Sequence, residues 1–396
     1  MTDRRPRLAY ICADRGIAPD GTKGAAVHFR QMGRALVRQG AQLEAFALKS
    51  KGATELGFPL QVVLHGSRGT GLDAEVRWLA AGGALLESLE ARAPFDAVYE
   101  RFSLFAPAGI AYAQSRDIPL VLEVNAPLWI EAQKYRSLEL RETARSLARE
   151  TLIRAYRVLV VSPRLREIVC DEGVPPERVQ VFPNGVSERF FSAKPENKPA
   201  RLAGRPVLLF CGSLKPWHGV NFLLEAFRKL LERRPVGLWI VGDGPLRDAI
   251  ELAQQELPDH VHWEGAVAHE RLPGILKAAD IAVAPYPSSA PDYFCPLKVI
   301  EALAAGCPVL ASDSPMMRSW VGEPKRAILF APDDPHDFVA AAEALLDDTG
   351  RRRDLSREGV KTAQDRYTWR HRAEELWRLL GWNDATPLSS PVVRRG

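Results

Sequence analysis

The sequence predicts an α/β protein built from two doubly wound, Rossmann-like units in series. Short apolar runs of strand length alternate with amphipathic helical segments, and the runs lack the strict apolar–polar alternation of a half-exposed strand. Strands of that kind are buried on both faces, as in a parallel sheet covered by helices. The pattern restarts near residue 206, and 396 residues exceed what one hydrophobic core usually holds.

The first predicted unit begins with an apolar strand, a glycine-containing loop and an amphipathic helix at 27–40, which Gly40 ends. Further apolar runs follow at intervals that leave room for helices. The strands predicted for this unit cover residues 7–13, 41–48, 95–101, 118–125 and 157–163. Ligands of such folds bind beyond the carboxyl ends of the strands, so polar residues that follow the strands are the candidates for a site.

A proline- and lysine-containing stretch at 179–206 predicts a linker, and the alternating pattern starts again after it. A second unit follows, and the last predicted helix is amphipathic, at 367–382. Its predicted strands cover residues 207–214, 237–245, 260–267, 280–287 and 307–313, with helices at 221–233 and 296–305. The predicted boundaries are a first domain at 1–190, a linker at 191–205, a second domain at 206–366, a terminal helix at 367–383 and a flexible tail at 384–396.

Composition and charge exclude several classes of protein. The net charge is only +4, which indicates no general attraction to nucleic acid. The five cysteines form no C-x-x-C pair, so neither a disulfide framework nor a zinc site is indicated. The N-terminal apolar run is too short for a signal peptide, and no apolar stretch is long enough to span a membrane. We therefore expect a cytoplasmic protein.

The predicted helix at 296–305 is apolar nearly all round but carries two charges, Lys298 and Glu301, on one face. A helix N-terminus favours phosphate, to which Lys298 would add charge, and Glu301 would accept hydrogen bonds from a ribose diol. The alternative is an ion pair between the two side chains at a domain surface.

The segment "CGSLKPWHGV" at 211–220 places Lys215 and His218 between Gly212 and Gly219, where a strand turns into a helix. Donor side chains in such a loop suit an anionic ligand, whereas the alternative is an ordinary loop with a solvated lysine. In "VGDGP", Gly242 and Gly244 would let the backbone approach a base or ribose, and the alternative is a tight turn. In "GTKGAAVH", Gly21 and Gly24 lie in a loop that leads into a helix and would cradle a phosphate, and the alternative is a loop with a solvated Lys23. The absence of G-x-G-x-x-G leaves an NAD site unsupported.

Polar side chains also follow two strands of the first unit, in "YERFS" and "EVNAPLWIE". They are Tyr99, Glu100, Arg101, Glu123, Asn125 and Glu131. The first interpretation places them on the floor of a ligand cleft. The alternative makes Glu100, Arg101 and Glu131 ordinary surface charges.

Taken in order, these segments resemble glycosyltransferase family 4 over residues 7–381. The resemblance rests on the glycine loop that leads into "VH", and on "EVNAPL", "VVSPRLR", "PNGV", "GSLKPWHGV", "VGDGP", "AADIAVAPYP" and "YFCPLKVIEALAAGCPVLASD". Members of that family have the GT-B fold, with two Rossmann-like domains that face a central cleft. The resemblance implies an N-terminal acceptor domain, a C-terminal donor domain for a nucleotide-diphosphate sugar, and a last helix that crosses back onto the first domain.

The resemblance also implies a set of site residues. The expected catalytic residues are Lys215, His218, Glu301, Asn125 and Glu123. The expected donor-binding residues are Gly21, Gly24, Gly212, Ser213, Gly242, Gly244, Tyr293, Cys295, Pro296, Leu297, Lys298 and Val299. The expected acceptor-side residues are Tyr99, Arg101 and Glu131. In this set Glu301 matches the second glutamate of the family's E-x7-E motif, which holds the ribose.

The sequence departs from the family pattern in three segments. Tyr293 occupies the position of the first E-x7-E glutamate, as in a bacterial variant of the motif, so a carboxylate at that position is absent. Asn125 lies near the position at which many members carry a histidine, and asparagine cannot transfer a proton as histidine does. In the third, Ser213 and His218 stand where arginine and lysine are common.

The resemblance predicts a retaining hexosyltransferase that moves a sugar from a UDP- or GDP-sugar to a hydroxyl acceptor. Front-face attack is expected, with charge stabilisation on the leaving diphosphate, and no D-x-D motif indicates a metal. Acceptors compatible with this prediction are a cell-envelope glycan or other polysaccharide under synthesis, a lipid-linked sugar at the inner face of the membrane, and a metabolite. The alternatives are a GT-B sugar-nucleotide epimerase and a non-catalytic protein that binds a nucleotide sugar or a partner.

Overall fold

The computed structural model describes residues 5–21, 23–52, 54–63, 69–135, 138–322 and 326–382. These residues form two compact units. The first contains the chain up to Gly185, the short segment Tyr293–Cys295, and the residues from Trp369 onward. The second contains Val186–Asp292 and Pro296–Thr368. The predicted tail at 384–396 lies outside the described residues.

The first unit contains a seven-stranded parallel sheet with strand order β3-β2-β1-β4-β5-β6-β7. Its elements up to Gly185 are β1 (Arg7–Cys12), α1 (Gly24–Gln39), β2 (Gln42–Ala47), β3 (Leu60–Val62), α2 (Leu72–Arg92), β4 (Ala97–Arg101), α3 (Ala108–Ser115), β5 (Leu120–Val124), α4 (Leu128–Tyr135), α5 (Arg141–Arg154), β6 (Arg157–Val160), α6 (Pro163–Asp171) and β7 (Val179–Val181).

The second unit contains a six-stranded parallel sheet with strand order β10-β9-β8-β11-β12-β13. Its elements are α7 (Arg189–Ser192), β8 (Val207–Cys211), α8 (Val220–Arg233), β9 (Gly237–Val241), α9 (Arg247–Glu256), β10 (Val261–Gly265), α10 (Leu272–Ala278), β11 (Ile281–Ala284), α11 (Leu297–Ala305), β12 (Val309–Ser312), α12 (Pro315–Val321), β13 (Ile328–Phe330), α13 (Pro335–Asp347) and α14 (Thr349–Arg366). The prediction of two α/β units with parallel sheets is confirmed.

The central strands of both sheets are buried on both faces, which explains why their sequences do not alternate. In β1, Leu8 and Tyr10 pack into a core with Phe29 of α1, while Ala9 and Ile11, on the opposite face, are also fully buried. The ring of Tyr10 stacks on that of Phe29 at a centroid distance of 3.8 Å. Burial on both faces requires apolar residues at consecutive positions.

A last helix, α15 (Trp369–Leu379), belongs to the first unit. Its apolar residues Leu376 and Trp377 share a core with Leu36 of α1, and the ring of Trp377 lies beside Gly40. The first unit therefore obtains part of its core from residues nearly 200 positions after its other elements.

The second unit begins and ends at adjacent positions. The backbone N–H of Val186 donates to the carbonyl of Tyr367 at 2.6 Å, and Val186 forms a parallel bridge with Thr368. In the first unit, Gly185 lies so close to the ring of Trp369 that a Cβ at Gly185 would come within 2.6 Å of it. In each unit, the residues at the two boundaries with the other unit therefore lie next to each other.

Several predicted boundaries differ from the structure for local reasons. The strand predicted at 157–163 ends at Val160, because Ser162 caps α6 and Pro163 is its first residue. Helix α11 begins at Leu297, with Pro296 as its N-cap. The stretch 179–206, predicted as a linker, contains the strand β7 and the short helix α7.

Candidate functional site

The order of strands defines where a ligand can bind in each unit. The sheet of the second unit reverses direction of winding between β8 and β11, and that of the first unit between β1 and β4. Ligands of doubly wound folds bind outside the carboxyl ends of the strands at such a point. In the second unit the loops that leave β8 and β11 at this edge contain residues 212–219 and 285–296.

Glycines bring the loops of this edge into backbone contact. Gly219 has φ +73°, and a Cβ there would come within 1.5 Å of the carbonyl oxygen of Pro285. Gly242 has φ +138°, and a Cβ would come within 1.9 Å of the carbonyl oxygen of Gly212. Gly244 lies similarly against the backbone of Leu214. The close approach at Gly242 and Gly244 is therefore to the protein's own backbone, which supports the tight-turn interpretation of "VGDGP".

Lys298, in the first turn of α11, is the most unusual charged residue of this edge. Its Nζ is buried and has no hydrogen-bond partner among the described residues, so it does not pair with Glu301. The ammonium lies 4.3 Å from the ring centroid of Phe210 and 5.0 Å from that of Tyr286. Burial lowers the pKa of Lys298 to about 8. An unpaired buried cation favours binding of an anion.

The position of Lys298 relative to the β8 loop is fixed by Gly212. A Cβ on Gly212 would lie 3.1 Å from the Lys298 Nζ, so a glycine leaves the ammonium its space. The backbone N–H groups of Leu297 and Lys298 precede the first helical hydrogen bond, which Val299 donates to Pro296 at 2.9 Å. The side chain of Val299 is buried, so this residue contributes packing.

His218 differs from the basic residue that its position in the family pattern suggested. Its Nδ1 lies 2.6 Å from the carbonyl oxygen of Ser213 and 3.3 Å from that residue's hydroxyl. Burial, and next the charge of Lys298, lower the pKa of His218 to about 4. The ring is therefore neutral at neutral pH in the unliganded protein. Lys215, in the same loop, lies with its Nζ 4.8 Å from the ring centroid of the partly exposed Trp217.

Glu301 is buried and has a partner that the sequence reasoning missed. Its Oε1 lies 2.9 Å from Nε2 of His269, which follows β10. The ring of His269 also lies 5.7 Å from that of Phe190. The sequence signal that could have indicated His269 is its position in the loop after a predicted strand of the second unit, where a ligand-binding edge was expected.

In the first unit, Glu123 is the centre of a buried polar cluster. Arg101 approaches its Oε1 at 3.4 Å, and the Tyr99 hydroxyl and the Asn125 amide donate to the same carboxylate. Nε2 of His28 lies 2.9 Å from Oε1 and 3.1 Å from Oε2. The carboxylate is thus occupied by protein donors, and it orients Arg101 and Asn125.

His28 was not predicted, although it lies in the quoted "GTKGAAVH" segment. Helix α1 places it beside Glu123, and the ring of Trp369 from α15 packs edge-on against it at 4.8 Å. Near the start of α1, the carbonyl of Gly21 accepts a hydrogen bond from Arg30 at 2.5 Å. Gly24 has open space where a Cβ would lie.

Although the charge on Glu123 is buried, its donors keep it ionised. Burial raises its pKa, but the charge and hydrogen bond of His28, the charge of Arg101 and the hydrogen bond of Tyr99 outweigh burial and lower the pKa to about 2. A carboxylate with this environment anchors its neighbours.

Tyr293 contacts residues of the first unit, to which the segment Tyr293–Cys295 belongs. Its hydroxyl donates to Glu131 at 2.8 Å, and its carbonyl accepts from the Ser162 hydroxyl at 2.5 Å. Cys295 is buried in the same segment. Tyr293 and Cys295 therefore belong to the first unit, whereas Pro296–Val299 belong to the second.

Comparisons with known proteins identify the family. The model of "Glycosyltransferase Family 4" matches residues 22–190, and the model of "Glycosyl transferases group 1" matches residues 205–348. A D-inositol 3-phosphate glycosyltransferase of Xylanimonas cellulosilytica is 28% identical across 92% of this chain and 94% of that protein. The chain belongs to glycosyltransferase family 4. The predicted assignment to this family and to the enzymes is confirmed.

Solved structures agree on the fold of this glycosyltransferase. Sucrose-phosphate synthase from Thermosynechococcus elongatus superposes with a TM-score of 0.75 at 22% identity, over 96% of this chain and 100% of that one. Anabaena HepE, solved in complex with UDP and glucose, superposes with a TM-score of 0.71 at 17% identity, over 96% and 100% of the two chains. The predicted GT-B fold is thereby confirmed.

Within the described residues of the glycosyltransferase, no three His, Cys, Asp or Glu side chains are grouped as metal ligands. None of the helices in the same residue ranges is long and apolar enough to cross a membrane.

Glu100 of the glycosyltransferase is not the surface charge of the alternative interpretation. It is fully buried in β4, and its Oε2 has no hydrogen-bond partner among the described residues. A Cβ at Gly109 would come within 1.9 Å of that oxygen, so α3 needs a glycine there. Burial raises the pKa of Glu100 to about 8, and the carboxyl is therefore neutral at neutral pH.

This raised pKa predicts a pH-dependent stability. An unfolded glutamate ionises near pH 4.5, so folding requires proton uptake between pH 4.5 and 8, and stability falls as pH rises through that range. Glu100→Gln removes this cost and should stabilise the protein by on the order of 2–3 kcal/mol at pH 7. Thermal unfolding at pH 6, 7, 8 and 9 measures the difference. Glu87→Gln, at an exposed site of α2, is the control; an equal effect of both variants would contradict the prediction.

Proposed function

We propose that this glycosyltransferase moves a hexose-type sugar from a UDP- or GDP-sugar to a hydroxyl acceptor with retention of anomeric configuration. The observation that carries the proposal is the buried ammonium of Lys298 at the N-terminus of α11, for which the described residues provide no hydrogen-bond partner. A diphosphate supplies the anion that this lysine lacks, and the free N–H groups of Leu297 and Lys298 add donors. HepE, which shares the fold, was solved with UDP and glucose, which supports a nucleotide-sugar donor.

Glu301 is the proposed ribose ligand. His269 holds one carboxylate oxygen, Oε1, at 2.9 Å, and a carboxylate offers its second oxygen to a diol. Glu301 lies three residues, almost one helical turn, after Lys298 on the same helix. One helix thereby provides a cation for phosphate and an acceptor for the adjacent ribose.

The proposed mechanism is front-face attack without a protein nucleophile. The acceptor hydroxyl attacks on the side from which the diphosphate departs, and a diphosphate oxygen takes the acceptor's proton. The protein positions the reactants and stabilises the charge that develops on the leaving group. Lys298 and Lys215 supply positive charge at the second unit, so the proposal requires no metal ion.

The first unit is proposed to bind the acceptor or the sugar hydroxyls at its own carboxyl edge. Arg101 and Asn125 present donors there, and Glu123 fixes both of them. A cell-envelope glycan, a lipid-linked sugar or a metabolite are the acceptor classes proposed, and the relative that acts on D-inositol 3-phosphate illustrates the last. All five cysteines are free thiols, which supports a reducing, cytoplasmic site of action.

The test is calorimetric and thermal-shift binding of UDP, GDP, ADP and dTDP to wild type and Glu301→Ala. One nucleotide should bind wild type and, at one hundred times its Kd, stabilise it by about 2.7 kcal/mol. Glu301→Ala should weaken that binding at least ten-fold, because it removes a ribose acceptor.

Glu264→Ala is the matched control, because Glu264 forms a His–Glu contact of similar length, 3.0 Å, with His262. Retained nucleotide affinity in Glu264→Ala with loss in Glu301→Ala supports the ribose assignment. Absence of binding by all four nucleotides would overturn the proposed donor class. Nuclear magnetic resonance of the anomeric product then tests retention.

A further inference from the structure

The hydrogen bond between His218 and Ser213 fixes the tautomer of the histidine. A backbone carbonyl oxygen only accepts hydrogen bonds, so Nδ1, at 2.6 Å from it, carries the hydrogen. In the neutral ring Nε2 then has a lone pair and no hydrogen. A neutral His218 can consequently accept at Nε2 but cannot donate there.

The titratable and charged groups around His218 are basic or uncharged at neutral pH. Lys298 faces it from α11 and Lys215 from its own loop, and the Tyr286 ring, after β11, packs edge-on at 6.0 Å. Burial most strongly, and then the charges of Lys298 and Lys215, oppose a positive charge on the ring and lower the pKa of His218 to about 4. The same two cations would attract a diphosphate to this loop.

A diphosphate changes this balance, because its oxygens offer only lone pairs. When the ring is neutral, a diphosphate oxygen would meet the lone pair of Nε2. When the ring is protonated, Nε2 donates a charge-assisted hydrogen bond to that oxygen. An added negative charge also offsets the repulsion from Lys298 and Lys215.

We propose that His218 takes up one proton from solvent when the diphosphate of the donor binds. This inference rests on the proposed function. The bound complex then contains the nucleotide, the protein and one additional proton, which Nε2 shares with the diphosphate. As the bond between sugar and diphosphate breaks, the imidazolium stabilises the charge of the leaving group, and the proton returns to solvent when the nucleotide dissociates.

Proton uptake gives the affinity a defined pH dependence. Above the pKa of free His218 and below its pKa in the complex, the affinity falls about ten-fold for each unit that the pH rises. A side chain that donates without titrating does not show this slope. His218→Gln provides such a side chain, because its amide nitrogen donates at every pH.

The experiment is calorimetric titration of UDP into wild type and His218→Gln at pH 7.5, in two buffers with different enthalpies of ionisation. The dependence of the binding enthalpy on the buffer gives the number of protons taken up. GDP, ADP and dTDP replace UDP if UDP does not bind. His336→Gln, at an exposed site of α13, is the control and should behave like wild type.

We expect wild type to take up about one proton more than His218→Gln. Lys298, whose pKa of about 8 is close to this pH, also takes up protons in both proteins when the anion binds, so only the difference between the proteins is assigned to His218. The affinity of wild type should fall several-fold more than that of His218→Gln between pH 7 and 8.

Binding with equal proton uptake in both proteins would overturn the inference and leave the proposed function intact. If none of the four nucleotides binds wild type, both fail. If His218→Gln does not fold, the ring nitrogens of His218 in wild type give the answer by nuclear magnetic resonance. A doubly protonated ring in the nucleotide complex supports the inference, and a ring that stays neutral overturns it.

Discussion

Replacing Lys298 by methionine should reduce turnover by about 10²–10³-fold and weaken nucleotide binding, while leaving the unliganded protein at least as stable as wild type. Loss of one preorganised donor to a developing negative charge has an effect of that size. Stability should not fall, because methionine has a similar shape, and the ammonium has no hydrogen bond to lose among the described residues. Transfer kinetics and thermal unfolding of the unliganded variant measure the two effects.

Lys361→Met is the control, because that ammonium is exposed on α14 and pairs with Asp365 at 2.6 Å. It should change neither turnover nor stability appreciably. If Lys298→Met unfolds at clearly lower temperature than wild type, the lysine has a structural role. The assignment of Lys298 to the diphosphate would then lose its support.

Glu123→Ala should destabilise the protein by about 3–5 kcal/mol, which is the usual cost of removing one partner from a buried charged cluster. The substitution leaves Arg101, His28 and the Tyr99 hydroxyl without their shared acceptor. Glu123→Gln preserves the shape but not the charge, so it should cost less than alanine. Denaturant unfolding at pH 7 gives both values.

The pH dependence at Glu123 has a defined sign. Its pKa is about 2 in the folded state and near 4.5 when unfolded, so its contribution is complete above pH 4.5 and is lost as the pH falls toward 2. Wild type should therefore lose more stability than Glu123→Gln over that interval. Parallel curves for the two proteins would contradict the proposed anchoring role, as would a loss below 1 kcal/mol in Glu123→Ala.

The sequence predicted the architecture because burial on both faces of a parallel sheet leaves a clear pattern. Strands such as β1 and β8 appeared as uninterrupted apolar runs, and Gly40 and Gly306 ended the predicted helices. Edge strands do not need that pattern. The three-residue strands β3, β7 and β13 were therefore missed, and β7 was taken for part of a linker.

The candidate site was predictable as a set of residue types but not as a set of pairs. Lys298 and Glu301 were identified from charges inside an apolar helix, yet sequence spacing favoured a ligand only slightly over an ion pair between them. The contacts of His269 with Glu301 and of His28 with Glu123 join residues 32 and 95 positions apart. Such contacts depend on strand order, which a single sequence does not specify.

The protonation state of His218 depends on side-chain contacts that the fold alone does not determine. Its position suggested a positive charge, but burial and the charges of two lysines outweigh the hydrogen bond to one carbonyl and lower the pKa of His218. Similarly, the departure at Tyr293 became interpretable only when its contacts with Glu131 and Ser162 placed it in the first unit. Neither property has a local sequence signal.

The adjacent ends of the second unit have an evolutionary consequence. Because Val186 and Thr368 are neighbours, and Gly185 and Trp369 likewise, residues 186–368 form an insertion whose two ends lie side by side. Recombination between related genes could exchange such a module without closing new loops, since inserted domains are tolerated when their termini are close. The segment Tyr293–Cys295, which contacts Glu131 and Ser162 of the first unit, would also have to match the host. Chimeric enzymes should therefore be constructed at these two junctions.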